Sequence, residues 1–177
     1  MDTPYIIVIA GPNGVGKSTF AQWYLADLPD CAGIVDPDAI ARELLHLPEQ
    51  QRSLAAGRIA LQRIDDSISE RMSFAIETTL SGKTLATKLL DAEAAGYLVV
   101  CCLLLVPSVA VTIHRVSLRV DLGGHNIPLE DQLRRFERSY RNFHELYIEV
   151  CHEWTLYDAE QTPPRITQRG NGGFSTK

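Results

Sequence analysis

Apolar residues along the chain follow two rhythms. Apolar runs, "YIIVIA" (5–10), "YLVVCCLLLV" (97–106) and the shorter "FAI" inside "SFAIETT" (73–79), are separated by longer stretches in which apolar positions recur every three or four residues. Short β-branched runs suit strands buried on both faces of a parallel sheet, whereas the longer spacing suits helices with one apolar face. "GIVD" (33–36) and "EWTLYD" (153–158) complete five expected strands. Helices are expected at 17–28, 38–46, about 50–71, about 82–95, 108–121 and about 129–150. Asp38 is placed to cap the second, and Gly96 stands at the C′ position of the fourth. Predicted inward faces are Leu54, Leu61, Ile64 and Ile68, then Val109, Ile113, Val116 and Val120, then Leu133, Phe136, Tyr140, Phe143 and Tyr147.

Alternation of strand and helix predicts an α/β three-layer fold, with a five-stranded, mainly parallel sheet and helices on both faces. Residues 1–160 are expected to form one domain. The Gly123-Gly124 break puts a mobile lid at about 121–129, and 161–177, with Pro163-Pro164 and "RGNGGFSTK", reads as a flexible tail.

Composition narrows the function classes. The 177 residues carry a net charge of −5, which argues against a protein that coats nucleic acid, because that affinity comes from Lys and Arg neutralising phosphates. The apolar run at 97–106 is half the length of a membrane span, and no signal peptide opens the sequence, so a cytoplasmic protein is expected. The four cysteines lack metal-site spacing, and Cys101-Cys102 read as buried thiols.

The chemistry begins at "AGPNGVGKST" (10–19), a G-x-x-x-x-G-K-[ST] phosphate loop between an expected strand and an expected helix. Gly11, Pro12, Asn13, Gly14, Val15, Gly16, Lys17, Ser18 and Thr19 form the candidate nucleotide-binding set. Backbone amides and the helix N-terminus would cradle phosphates, Lys17 would reach the β- and γ-phosphates, and Ser18 would ligate Mg²⁺. Transporter-type ATPases carry similar loops but need an LSGGQ signature and an apolar run ending in Asp-Glu. "LSGKT" (80–84) directly follows the third strand, and no run ends in Asp-Glu, so that class is rejected.

Further candidates sit at strand ends, where ligands bind in open α/β sheets. In "DPD" (36–38) one reading is helix capping; the other makes Asp38 the base that accepts a proton from an acceptor hydroxyl. Asp36, Arg42, Glu77, Thr78, Thr79, His125 and Arg135 form the candidate acceptor-binding set; Arg42 would hold an anionic acceptor, and Thr79 or Ser81 could instead cap the next helix. Arg115 and Arg119 share a helix face next to the glycine break and are either solvated or a clamp on the transferring phosphoryl group.

Taken together, "AGPNGVGKST", "DPDAIAREL", "SFAIETTLSG", "AGYLV", "HRVSLRVDLGGHNIP" and "RRFERSYRNF" resemble the zeta-toxin-like P-loop kinase family, in its short branch often labelled as predicted ABC-type ATPases. The resemblance spans about residues 4–158. It implies transfer of a phosphoryl group from ATP or GTP to a hydroxyl, with UDP-N-acetylglucosamine as the family's acceptor and an antitoxin as its protein partner. It also implies Lys17 on the phosphates, Asp38 as catalytic Asp, Glu77 as substrate-binding acid, and clamping arginines near Arg115, Arg119 and Arg135 or Arg138. The chain departs from the toxins in "DPDAIARELLHLP", where they carry a basic residue and His-Pro, and in "YDAE", where they carry Asp-Asn-Ser. The reading from sequence is therefore a Mg²⁺-dependent kinase acting on a small, anionic alcohol. Its rivals are a nucleotide-binding regulator or toxin–antitoxin protein without metabolite kinase activity, and a polynucleotide 5′-hydroxyl kinase.

Overall fold

A computed structural model describes residues 3–28, 30–124 and 126–176. Six strands make one sheet: β1 (Tyr5–Ala10), β2 (Cys31–Val35), β3 (Ser73–Thr78), β4 (Leu98–Leu105), β5 (Glu153–Asp158) and β6 (Arg165–Asn171), in the order β2-β3-β1-β4-β5-β6. The first five pair in parallel, and β6 closes the edge antiparallel to β5. The helices are α1 (Lys17–Tyr24), α2 (Pro37–Glu43), α3 (Glu49–Ser69), α4 (Thr84–Ala94), α5 (Val109–Asp121) and α6 (Leu129–Asn142).

Strand alternation sorts the core into two layers. Ile6, Val8, Phe74, Ile76, Cys101 and Leu103 face the side that holds Ile64, Leu89 and Phe143. Ile7, Ile9, Ala75, Cys102 and Leu104 face α1, where Phe20 meets the Tyr157 ring edge-on with centroids 4.7 Å apart. The cysteines at 101, 102 and 151 are buried and free, and burial pushes the Cys102 thiol up to about 12, so it stays protonated and inert at neutral pH. No helix among the described residues is long and apolar enough to cross a membrane.

The sheet has six strands where five were expected, and the expected flexible tail is structured over 165–176. β6 is polar and mostly exposed, so hydrophobic patterning does not reveal it. It is held by the ladder to β5, by Trp154 Nε1 donating to the Asn171 carbonyl at 3.0 Å, and by Phe174, which is buried beyond it.

Three helices keep only part of their expected faces. α3 buries Ala56, Ala60 and Ile64 and leaves Leu54 63% exposed. In α5 Val116 is buried as expected, Val109, Ile113 and Val120 are half-buried, and Thr112 is buried beside them. α6 ends at Asn142 and passes into a π turn (Phe143–Tyr147) and a 3₁₀ turn (Ile148–Val150). The wider turn changes the helix phase. Phe143 and Tyr147 are buried as expected, but Leu133 and Tyr140 are exposed, and α6 buries Gln132, Ser139 and Asn142 instead. Asn142 Nδ2 donates to the carbonyl of Leu80, a residue held at φ 51° just beyond β3.

Candidate functional site

β1 lies between β3 and β4, so the chain reverses direction across the sheet beside it, and the loops after β1, β2 and β3 converge at one edge. The phosphate loop leaves β1 at Gly11. Gly14 has φ 78°, and a Cβ there would lie 2.6 Å from the Thr112 carbonyl oxygen of α5, so the loop and α5 touch through backbone. Gly16 has φ 105° and opens α1, whose first turn has no acidic residue and leaves its amides to an anion. Lys17 is buried, and its Nζ donates to the Gly11 and Pro12 carbonyls at 3.0 Å each. Burial pushes the Lys17 ammonium pKa down, opposed by Asp38, Glu77 and Asp36. Ser18 and Thr19 face the cleft, whereas the Val15 side chain is packed in the core.

Local chemistry separates the two acids of "DPD". Asp36, not Asp38, is the N-cap of α2: its Oδ1 accepts from the Asp38 amide at 2.9 Å. Pro37 takes the first helical position, where its fixed φ suits the turn, and this starts the helix a residue earlier than expected. Asp38 therefore has its carboxylate free for the cleft, where Asn13 Nδ2 donates to its Oδ2 at 3.3 Å. Arg135 Nη1 donates in turn to Asn13 Oδ1 at 3.2 Å, which links α6, the phosphate loop and α2 in one chain.

Glu77 ends β3 almost fully buried, and Ser18 Oγ donates to its Oε2 at 3.0 Å. Burial pushes its pKa up, and Asp36 adds to the rise; Asp36 is likewise raised by burial and by Asp38. Three carboxylates thus crowd around Lys17, with Arg135 and Arg42 at the margins of the cluster. The donor set suits a hard cation that keeps phosphate and water ligands, with a hydroxyl at Ser18 and a carboxylate behind it. Among the described residues no group of three or more His, Cys, Asp or Glu could hold a metal by itself.

The cleft has two compartments. The larger, ≈ 670 Å³, runs along the phosphate loop under Arg115, Arg119 and Gly123-Gly124. The smaller, ≈ 140 Å³, is lined by Thr78, Thr79, Ser81 and Arg135. Lys17, Asp36, Asp38 and Glu77 line both.

The remaining candidates are placed as follows. Arg115 donates to the carbonyls of Val15 (3.2 Å) and Ala159 (3.0 Å), and so ties α5 to the phosphate loop and to the turn after β5. Arg42 lies on the larger compartment, 3.8 Å from Asp36 and donating to the Asp38 carbonyl, and is not part of the smaller one. Thr78 Oγ1 accepts from the Leu80 amide, and Thr79 pairs with Ser81 at 2.9 Å. Neither Thr79 nor Ser81 caps α4, because Lys83 occupies the N-cap without a side-chain bond. His125 lies outside the described residues. The Asn13 side chain as a bridge and the Arg115 double tie were not foreseen. Both depend on partners far apart in the chain, and no local pattern marks them.

A family model described as AAA domain matches residues 6–143. A protein of Haemophilus influenzae described as uncharacterized is 30% identical over 122 residues, which is 68% of this chain and 84% of that protein. Among solved structures, one from the PezAT chromosomal toxin–antitoxin system of Streptococcus pneumoniae superposes with a TM-score of 0.70 at 15% identity, covering 99% of this chain and 77% of that one. A gluconokinase from Sinorhizobium meliloti superposes at 0.55 with 20% identity, over 90% of this chain and 84% of its own. At such identities the likeness shows a shared fold, the P-loop kinase-like α/β three-layer.

Proposed function

The chain belongs to this AAA-domain family, and from that premise we propose that it is a kinase moving the γ-phosphoryl group of ATP or GTP to a hydroxyl of a small acceptor. One observation carries the reading: Asp38 is open to both compartments, facing the phosphate loop on one side and the Thr78–Ser81 edge on the other. The nucleotide's phosphates lie along Gly14–Thr19, and the acceptor enters the smaller compartment. Asp38 takes the acceptor's hydroxyl proton as the new O–P bond forms, the bond between the β–γ bridging oxygen and the γ-phosphorus breaks, and the nucleoside diphosphate leaves. Lys17 exchanges its two carbonyl partners for phosphate oxygens. Ser18, backed by Glu77, would hold Mg²⁺, which supplies charge neutralisation at the phosphates when bound. Arg119 approaches the phosphoryl group from α5, which Arg115 holds against the phosphate loop through the Val15 carbonyl, and Gly123-Gly124 hinges the segment at 121–129 as a lid. In this reading the domain takes in β6 as well as residues 1–160, and Asp36, Glu77, Thr78, Thr79 and Arg135 shape the acceptor side.

The zeta-toxin-like resemblance and the PezAT likeness support an antitoxin as protein partner and keep nucleotide sugars among the acceptors to be tried. The test is incubation with ATP, Mg²⁺ and a panel of nucleotide sugars and simpler alcohols, followed by mass spectrometry. A product heavier by one phosphate is expected. Tight nucleotide binding with no phosphorylated acceptor, together with capture of a specific protein partner, favours the regulator reading instead.

A further inference from the structure

Behind the small polar compartment lies a third cavity of ≈ 370 Å³, between α3, α4 and the end of β3. The two share Pro37, Ser53, Glu77, Thr78 and Ser81, so a molecule whose hydroxyl sits near Asp38 can extend directly into it. The chamber's wall is aliphatic: Leu54, Leu61, Ile64, Ile76 and Leu85. Its charged residues are Glu77 at the shared mouth and Arg58, whose side chain is exposed.

Two features show that the fold leaves this space open. Gly57 stands in the middle of the 21-residue helix α3, where glycine costs about 1 kcal/mol against alanine, yet a Cβ there would meet nothing within 4 Å. Gly82, at the exposed rim, likewise has no atom within 4 Å of where a Cβ would stand. Neither glycine is demanded by close packing, and both border the chamber. Leu54 is also 63% exposed at its edge, apolar surface that an occupant would cover.

We infer that the acceptor is an amphipathic alcohol: a hydroxyl, presented to Asp38 among the polar side chains of the small compartment, on an aliphatic or aromatic body that fills the chamber. A heavily hydroxylated sugar pushed there would lose water without gaining hydrogen-bond partners. This inference rests on the kinase reading for what happens to the hydroxyl, but the chamber's preference is a binding property in its own right.

The test is calorimetric binding of a series of phenyl-capped primary alcohols, each one methylene longer than the last, to the protein with Mg²⁺ and a non-hydrolysable ATP analogue. Affinity should rise about fourfold per methylene until the chamber is full. Gly57→Leu should flatten that rise by filling the space, while Gly57→Ala keeps most of it. Both replace a helix glycine with better helix formers and should fold at least as stably. Affinity independent of chain length, or a slope untouched by Gly57→Leu, overturns the inference. With ATP in place of the analogue, a binding slope without any phosphorylated alcohol would leave the chamber standing and sink the kinase reading. Transfer to a nucleotide sugar with a KM unmoved by Gly57→Leu would do the reverse.

Discussion

Glu77 and Asp36 are held in an electrostatically costly arrangement, each raised in pKa by burial and then by a neighbouring carboxylate. A carboxyl whose folded pKa lies above its unfolded value favours folding only while protonated. That contribution is present below the ordinary range, near 4.5 for Glu77, and is lost as pH rises through the folded pKa. Ligand-free protein should therefore gain stability on mild acidification from neutral pH. Glu77→Gln, which keeps an acceptor for Ser18, should melt higher than the wild type at pH 7, with the gap closing as pH falls towards 4.5. Thermal melts across that range check this, and the same variant should lose Mg²⁺-dependent turnover. Much of this residue-level picture was readable: the phosphate loop, the acids of "DPD" and the acid ending β3 were marked by type and position. The cap was assigned to the wrong aspartate because Pro37 sets where α2 begins, and one residue decides which carboxylate is spent on the backbone.

Among the elements, α5 and α6 shape the site more than sequence periodicity suggests. Arg115 spans two carbonyls that come from segments 100 and 44 residues away. Arg115→Lys should not restore what Arg115→Ala removes, because a single ammonium cannot reproduce a planar fork. Each charged-donor bond lost costs about 1.5–3 kcal/mol, and both variants should show a raised KM for nucleotide and a lowered melting temperature. α6 buries amides and a hydroxyl where leucine and tyrosine were expected, because the π turn after Asn142 resets the phase. Asn142→Ala leaves the Leu80 carbonyl unpaired inside the protein and should cost about 1–3 kcal/mol. The turn it supports carries Thr78–Ser81, so acceptor KM should rise while nucleotide binding holds. In α3, one continuous helix, Ile64 and Ile68 pack on the core as expected, but Ala56 and Ala60 join them while Leu54 and Leu61 line a cavity that no one-dimensional pattern displays.

For the molecule as a whole, the alternation of apolar runs with helical stretches made the parallel sheet legible, because strands buried on both faces must be apolar throughout. β6 escaped that reading, since an edge strand held by its ladder needs little hydrophobic signal. It nonetheless anchors Phe174, 4% exposed against the core. Phe174→Ala should destabilise by about 3–5 kcal/mol, and removal of residues 161–177 should cost more and leave β5 as a bare edge prone to association; denaturant titration and light scattering read the two effects. Strand order, not composition, is what gathers the loop after β1, the cap of α2 and the acid of β3 around one lysine. In the proposed mechanism the carboxylate of Asp38 activates a hydroxyl against the phosphate held there. Single-turnover transfer from γ-labelled ATP to the best acceptor, compared between wild type and Asp38→Asn, measures it most directly. The rate should fall by about 10²- to 10⁴-fold with nucleotide affinity retained; an unchanged rate in a folded variant would remove Asp38 from the role of base.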